Sequence, residues 1–457
     1  MTRTAEFGTA PVHKLLWKYA LPAIIAMTAM SLYNIVDSIY IGHGCGALAL
    51  SALTVAKPFM DICAAFGSLV GVGASSLLAI YLGEKDYDKA NRVLGNVIVL
   101  NIILSAIVMA VGLIWLDPIL MAFGASEDTI LYAHEYMEII LYGNILTHIY
   151  FGLNAMLRSA GHPRFSMIAT LFAVIINIIL DPIFIFALNM GVAGAAIATV
   201  IGQLCGCTLA IWFNHKKNTD ITLSVKGFRP DFRLIGEIYA IGLPSVIMVA
   251  IGSVMTFLMN KILITYHTAH ETAATAFGAY FKLNSFIFMP VFGLNNGVVP
   301  IVAYNYGAQN RRRMVETIKR GALYASCIMV LGTVLFWVIP GPLLKIFDAS
   351  ETLLSVGIPA LRIISLSFCM AGACIALGSS FQALGKSVYS MITSIVRQLV
   401  FLIPIAYVLA RYGASVGNSD LVWWSYPIAE VFSLTLTLCF FRHVYKTTIA
   451  PLPEGRE

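Results

Sequence analysis

The stretch Leu15-Leu-Trp-Lys-Tyr-Ala-Leu-Pro-Ala-Ile-Ile-Ala-Met-Thr-Ala-Met-Ser-Leu-Tyr-Asn-Ile-Val-Asp-Ser-Ile-Tyr-Ile41 carries only two charged side chains, Lys18 and Asp37. A helix of roughly 20 apolar residues crosses a bilayer, so this run is long enough to span one. It is longer than the apolar part of a secretory signal and shows no small-residue cleavage site, so it reads as a retained span. Inside lipid the backbone must satisfy its own hydrogen bonds, which makes each such run a helix. Comparable runs recur along the chain, at about 14–42, 51–82, 92–116, 130–157, 163–187, 191–213, 234–265, 271–307, 318–339, 352–381, 387–410 and 421–443. The expected fold is an all-α integral membrane protein of twelve transmembrane helices. The long second and eighth runs are expected to tilt or kink, and Pro290 and Pro300 lie within the eighth.

Composition agrees. Of the 457 residues 59% are hydrophobic and 11% charged, and the mean hydropathy is +0.83. A soluble domain of this size would need more charge to wet its surface. The net charge of +6 is no nucleic-acid footprint, because the basic residues sit in short loops between apolar runs. With the amino terminus in the cytoplasm, inside segments hold most of the 29 Lys and Arg, including Lys85, Lys89, Arg92, Lys216, Lys217, Lys226, Arg229, Arg311, Arg312 and Arg313. Outside loops hold Lys261, Lys345 and Arg411. Positive charge is retained on the cytoplasmic side, so both termini are expected there, in a bacterial-type inner membrane. The eight cysteines form no zinc spacing or disulfide framework and mostly fall inside apolar runs.

The halves repeat. Phe123-Gly-Ala-Ser-Glu127 matches Phe347-Asp-Ala-Ser-Glu351, and Ser166-Met-Ile-Ala-Thr170 matches Ser390-Met-Ile-Thr-Ser394, both at a shift of 224. Ala155-Met-Leu-Arg-Ser-Ala-Gly161 matches Ser379-Ser-Phe-Gln-Ala-Leu-Gly385 at the same shift, and Leu21-Pro22 matches Leu243-Pro244 at 222. Six spans per half give both halves one orientation, a parallel repeat about an axis along the membrane normal. The expected division is an N-terminal lobe at 1–213, a charged cytoplasmic linker at 214–233 and a C-terminal lobe at 234–457. Two similar lobes suggest a cavity between them and alternating access by rocking.

Ionisable groups inside spans are costly unless paired or hydrated, and so are functional candidates. Asp37 lies about one turn from the outer end of the first span, and Asp181 about two turns from the outer end of the fifth. Asn177 shares the face of Asp181 by i,i+4 spacing, and Thr199 lies at a similar depth on the sixth span. Two carboxylates, an amide and a hydroxyl suit a hard cation such as Na⁺, or a proton, since burial beside a like charge disfavours ionising both carboxyls. The alternative is that Asp37 and Asp181 are separate hydrogen-bond anchors. Asn34 and Gln203, one turn from Asp37 and Thr199, are candidates to support the site. In the C-terminal half the shift maps Asn177 and Asp181 to Phe401 and Ile405, so no carboxylate pair recurs. Lys282, Arg397 and Glu430 lie in spans there. They serve either an anionic group of a substrate or an Arg397–Glu430 ion pair that fixes helix packing. Lys57 and Asp61 are placed to pair locally, and Arg362 to snorkel outward.

The stretch Asn34-Ile-Val-Asp-Ser-Ile-Tyr-Ile-Gly42 resembles the first-helix motif of the multidrug and toxic compound extrusion (MATE) family. Asn177-Ile-Ile-Leu-Asp-Pro182 and Ala195-Ala-Ile-Ala-Thr199 resemble its fifth- and sixth-helix motifs. Arg158-Ser-Ala-Gly-His-Pro163 and the segment Gly83 to Ala90 are similar to its inside loops, and Gly242-Leu-Pro-Ser245 resembles the MepA-like branch. The resemblance covers the whole chain. It implies a secondary antiporter, not an enzyme, that exports cationic or amphipathic small molecules, with Na⁺ or H⁺ as coupling ion at Asp37, Asn177, Asp181 and Thr199. Some branches carry further carboxylates on the seventh and tenth helices; here those positions are Gly252 and Gly372. No cofactor and no nucleic-acid partner is expected, and the working unit is expected to be a monomer in the bilayer. The main alternative is a flippase of the same superfamily acting on a lipid-linked saccharide or other amphiphile, which Lys282 and Arg397 keep open. A major-facilitator transporter is disfavoured because Glu84-Lys-Asp-Tyr-Asp88 does not match that family's loop. No metal-binding His pair, GxSxG or P-loop points to a membrane enzyme.

Overall fold

The structure is a computed structural model that describes residues 3–218, 221, 230–346 and 350–454. Much of the expected linker, with Lys226, Gly227 and Arg229, lies outside the described residues, as do Phe347, Asp348, Ala349 and Arg456. Among the described residues eleven helices are long and apolar enough to cross a membrane, and one bent pair makes a twelfth. Numbered in chain order, spans 1 to 6 are Val12–Cys45, Ala47–Glu84, Tyr87–Ile114, Ile130–Ser159, Pro163–Ala187 and Gly191–Lys216. Spans 7 to 9 are Phe232–Tyr266, His270–Gly307 and Arg311–Val338. Span 10 is the pair Glu351–Ser365 and Phe368–Ala383, and spans 11 and 12 are Val388–Val416 and Ser419–Ile449.

Helix ends follow local chemistry. The side chain of Asp86 accepts from the backbone N–H of Lys89 at 3.0 Å and caps span 3. That bond and the Lys89 ammonium hold the Asp86 carboxyl below its usual range. Asp231 caps span 7 through the N–H groups of Arg233 and Leu234, and Ser350 caps span 10 through Leu353. Pro163 opens span 5, where its missing N–H costs nothing.

Two expectations are corrected. Span 9 begins at Arg311, not near 318, because the Asn310 side chain caps it and its charged first turns extend beyond the apolar stretch. Span 10 is not one straight run: it bends by 49° around Leu366 and Ser367. There the Ser365 and Ser367 hydroxyls donate back to the carbonyls of Arg362 and Ile364, at 3.0 and 2.7 Å. The Thr333 hydroxyl of span 9 donates to the Ser365 carbonyl, so the bend is supported by polar partners. Span 8, by contrast, continues through Pro290 and Pro300.

The lobes share one packing plan. In the first, span 2 packs on 4, 3 on 4, 5 on 6 and 1 on 5; in the second, 8 packs on 10, 9 on 10, 11 on 12 and 7 on 11. Across the lobes, span 1 lies along span 8, and span 2 along spans 7 and 8. Glycines make this approach close. A Cβ on Gly73 would collide with the Ile238 carbonyl, on Gly242 with that of Leu69, on Gly83 with that of Tyr304, and on Gly307 with that of Ile80. Gly293 and Gly297 meet the backbone of span 1 at Ile24 and Ala20 in the same way. All six contacts fall in the halves of spans 1, 2, 7 and 8 nearest the start of span 1, so the lobes are sealed on that side.

The N-terminal segment reinforces the seal. Phe7 is 0% exposed and sits between the rings of Tyr19 and Tyr304, 4.8 and 5.4 Å away. Its carbonyl accepts from Asn305 at 3.0 Å and from the Arg313 guanidinium at 3.0 Å, both on C-lobe spans. Glu6 anchors the segment to its own lobe, accepting from Lys18 at 2.5 Å and Tyr19 at 2.9 Å. Glu6→Ala is expected to weaken this docking by about 1 kcal/mol. Hydrogen exchange at residues 4–10 should then be several-fold faster, with the rest of the bundle unchanged.

Candidate functional site

The expected site residues meet inside the N lobe. Asp37 of span 1 and Asp181 of span 5 are 8% and 0% exposed, and their carboxyl groups interact with one another. Asn177 is buried beside them, one turn along span 5. With its amide turned to satisfy both neighbours, Nδ2 donates to Asp181 Oδ2 at 2.9 Å. Its Oδ1 then accepts from the Thr199 hydroxyl at 3.2 Å and the Thr199 backbone N–H at 3.0 Å. The α-helical part of span 5 ends at the Asp181-Pro182 pair and passes into a π-helical turn, Ile183–Ala187. Proline supplies no N–H to the ladder there, and π turns recur at functional positions.

One Asp37 oxygen and one Asp181 oxygen, Oδ1 in each, are buried without a hydrogen-bond partner. Two ionised carboxylates in contact at so buried a place would repel strongly, so the pair is tolerated only when a shared proton or a cation between them offsets at least one of the two charges. The oxygens present suit a small hard monovalent ion. Among the described residues no cluster of three or more His, Cys, Asp or Glu is placed to hold a metal.

Two tyrosines complete the site, and sequence reasoning had passed over both. The Tyr33 hydroxyl lies 3.2 Å from the Thr199 hydroxyl. Tyr136 of span 4 is buried and interacts with Thr199, Asp37 and Asp181. The signal for Tyr33 was its place four residues before Asp37, on the same helix face. Asn34 is a correction: it is exposed, and its amide donates back to the Met30 carbonyl at 3.0 Å, so it does not support the site.

Gln203 does border the site. It lines a cavity of about 30 Å³ with Tyr33, Asn177, Thr199, Ala173 and Tyr150, room for a water or two. On the far wall the Tyr150 hydroxyl donates to Thr170 at 2.7 Å, and Asn154 donates to the same Thr170 oxygen at 3.1 Å.

The C lobe is built differently. Arg397 donates to Glu430 Oε2 at 3.1 Å, so of the two alternatives for these residues the ion pair is the one the structure contains. This engages one of the two cations on which the flippase alternative stood. Lys282 is exposed on span 8. Lys57 and Asp61 pair on span 2. A side chain at Gly372 would press on Met329 and the Ala325 carbonyl, so that position serves packing.

Comparison with known proteins agrees with this architecture. The MatE family profile matches residues 22–183 and 244–408, one copy in each lobe. The multidrug export protein MepA of Staphylococcus haemolyticus is 30% identical over 95% of this chain and 93% of its own length. MepA of Staphylococcus aureus is 28% identical over 93% of this chain and 92% of its own. A solved multidrug resistance MATE family transporter of the MOP superfamily, in its outward-facing conformation, superimposes with a TM-score of 0.91 at 23% identity. That match covers 98% of this chain and 99% of that one. A MOP superfamily transporter from Pyrococcus furiosus gives 0.92, again at 23% identity and the same coverage. At that identity the two structures speak to the fold alone. The duplicated profile match and the 30% identity across nearly the whole length carry the assignment, and the chain belongs to the MatE family.

Proposed function

We propose that this chain is a secondary antiporter that exports small cationic or amphipathic molecules across the plasma membrane, driven by Na⁺ or H⁺ taken up between spans 1, 5 and 6. The observation that carries the reading is the contact of Asp37 with Asp181, each left with one buried, unpartnered oxygen. A bilayer protein keeps such a pair only where an ion repays its cost. The relatives named as multidrug export proteins support the substrate class. The excess of Lys and Arg in the loops on the sealed side supports a cytoplasmic placement of that side and of both termini.

Span 1 contributes both to the ion site, through Tyr33 and Asp37, and to the seal, through Ala20 and Ile24. An ion that binds one arrangement of span 1 more tightly than another shifts the lobe equilibrium by that difference, and a substrate that prefers the opposite arrangement is exchanged for it. The test is export of a cationic dye from proteoliposomes with a pH gradient and a Na⁺ gradient imposed separately. Export should follow at least one of them; export indifferent to both would overturn the proposal. Tyr33→Phe removes one hydroxyl from the shell, worth about 0.5–1.5 kcal/mol net. The concentration of driving ion giving half-maximal export should rise about 2–10-fold, with the maximal rate kept.

A further inference from the structure

The N-lobe cavity has a counterpart in the C lobe, and there it is filled. The shift of 224 carries Tyr150 to Cys374 and Ala173 to Arg397. In the N lobe Tyr150 and Ala173, from spans 4 and 5, line the cavity with Gln203 of span 6. In the C lobe the matching spans 10, 11 and 12 bring Cys374, Arg397 and Glu430 together. Arg397 bonds Glu430 at 3.1 Å, Cys374 interacts with both, and Ser433, three residues on from Glu430, donates to the Cys374 sulfur at 3.8 Å. The same helices thus converge at the same level in both lobes. What differs is the filling: a methyl group at 173 leaves open space, and a guanidinium at 397 occupies it.

Glu430 is 4% exposed, and its Oε1 is buried with no hydrogen-bond partner. The N-lobe ligands are absent around it, since Asn177 and Asp181 map to Phe401 and Ile405. A carboxylate in such surroundings needs a positive partner, and Arg397 is the one the structure supplies. Arg397 also sits on a π-helical turn, Val396–Leu402.

We propose that Arg397 is a tethered cation: its guanidinium permanently occupies the C-lobe counterpart of the N-lobe cavity, and Glu430 is the carboxylate of a monovalent-cation site that it keeps closed. Only the N lobe then has an exchangeable position. The claim concerns binding, and it stands or falls independently of any ion gradient driving export.

The experiment uses the purified full-length protein in detergent. Arg397→Ala should unfold at a lower temperature than wild type. Millimolar guanidinium chloride should raise its Tm saturably by a few degrees beyond any rise in wild type. Urea at the same concentration, planar and of the same shape but uncharged, should not. Arg397→Ala/Glu430→Gln should lose the response, and Arg397→Lys, which keeps a tethered charge, should show none. A guanidinium response that is absent from Arg397→Ala, or equal in the double variant, overturns the proposal. If Arg397→Ala aggregates on extraction, guanidinium present during solubilisation should restore a monodisperse protein, and failure to do so overturns it equally.

Discussion

Asp37→Asn is expected to cut gradient-driven export by about 5–150-fold, the range of a typical coupling free energy, while leaving the protein folded. Asparagine keeps the size of the side chain and its ability to bond Asp181, and removes the charge. With one carboxyl gone, a single carboxylate is left to hold the ion, and the difference in ion binding that biases the lobes is reduced. Stability should hold or improve, because one of two mutually repelling groups has been neutralised. Asp181→Asn should behave alike. The double variant should be no worse than either single one, since groups that act as a unit are not additive. Export of a dye under an imposed gradient is one measurement. Dye exchange at equilibrium with no gradient is the other, and it should survive. Full gradient-driven export by Asp37→Asn would remove the ion site from the mechanism.

Much of this site was legible before the fold was known. Asp37 and Asp181 stand out because hydrocarbon tolerates carboxyls poorly, and Asn177 follows from helical spacing. Depth along three spans could be counted because a helix rises by a fixed amount per residue. Rotation about the helix axis could not. Asn34 and Tyr33 stand three and four residues from Asp37, and only packing against spans 5 and 6 decides that Tyr33 turns inward to Thr199 while Asn34 turns back to Met30. Tyrosines in a chain with 20 of them read as packing residues, so only the i,i+4 spacing to Asp37 marks Tyr33, and nothing comparable marks Tyr136. The bend in span 10 was hidden for another reason. No glycine or proline stands at Ser365-Leu-Ser367, and the bend depends on serine hydroxyls and on a threonine from the neighbouring span. The Arg397–Glu430 pair was one of two alternatives the sequence left open, and its relation to the N-lobe cavity needed the two lobes side by side.

Gly83→Ala combined with Gly307→Ala is expected to unseal the lobes at the end of span 2. Each added methyl would collide with a backbone carbonyl of the opposite lobe, that of Tyr304 or of Ile80. Backbone in a helix cannot turn aside as a flexible side chain can, so the helices themselves must part. Overpacking of this kind costs about 1–3 kcal/mol per site, and the two sites face each other across one contact, so their costs will not simply add. A penalty of about 1–3 kcal/mol on the sealed arrangement alone shifts the lobe equilibrium by about 5–150-fold toward the arrangement in which these helices separate. The same methyls meet nothing once the lobes part, which distinguishes this change from general destabilisation. Hydrogen exchange should quicken at residues 76–84 and 300–307, and at residues 4–10, whose docking spans both lobes. Exchange around Asp181 and Arg397 should keep its wild-type rate. Loss of protection throughout both lobes would instead mean that the glycines hold the fold together, and unchanged protection at 76–84 would mean that the backbone contact is not what seals this side.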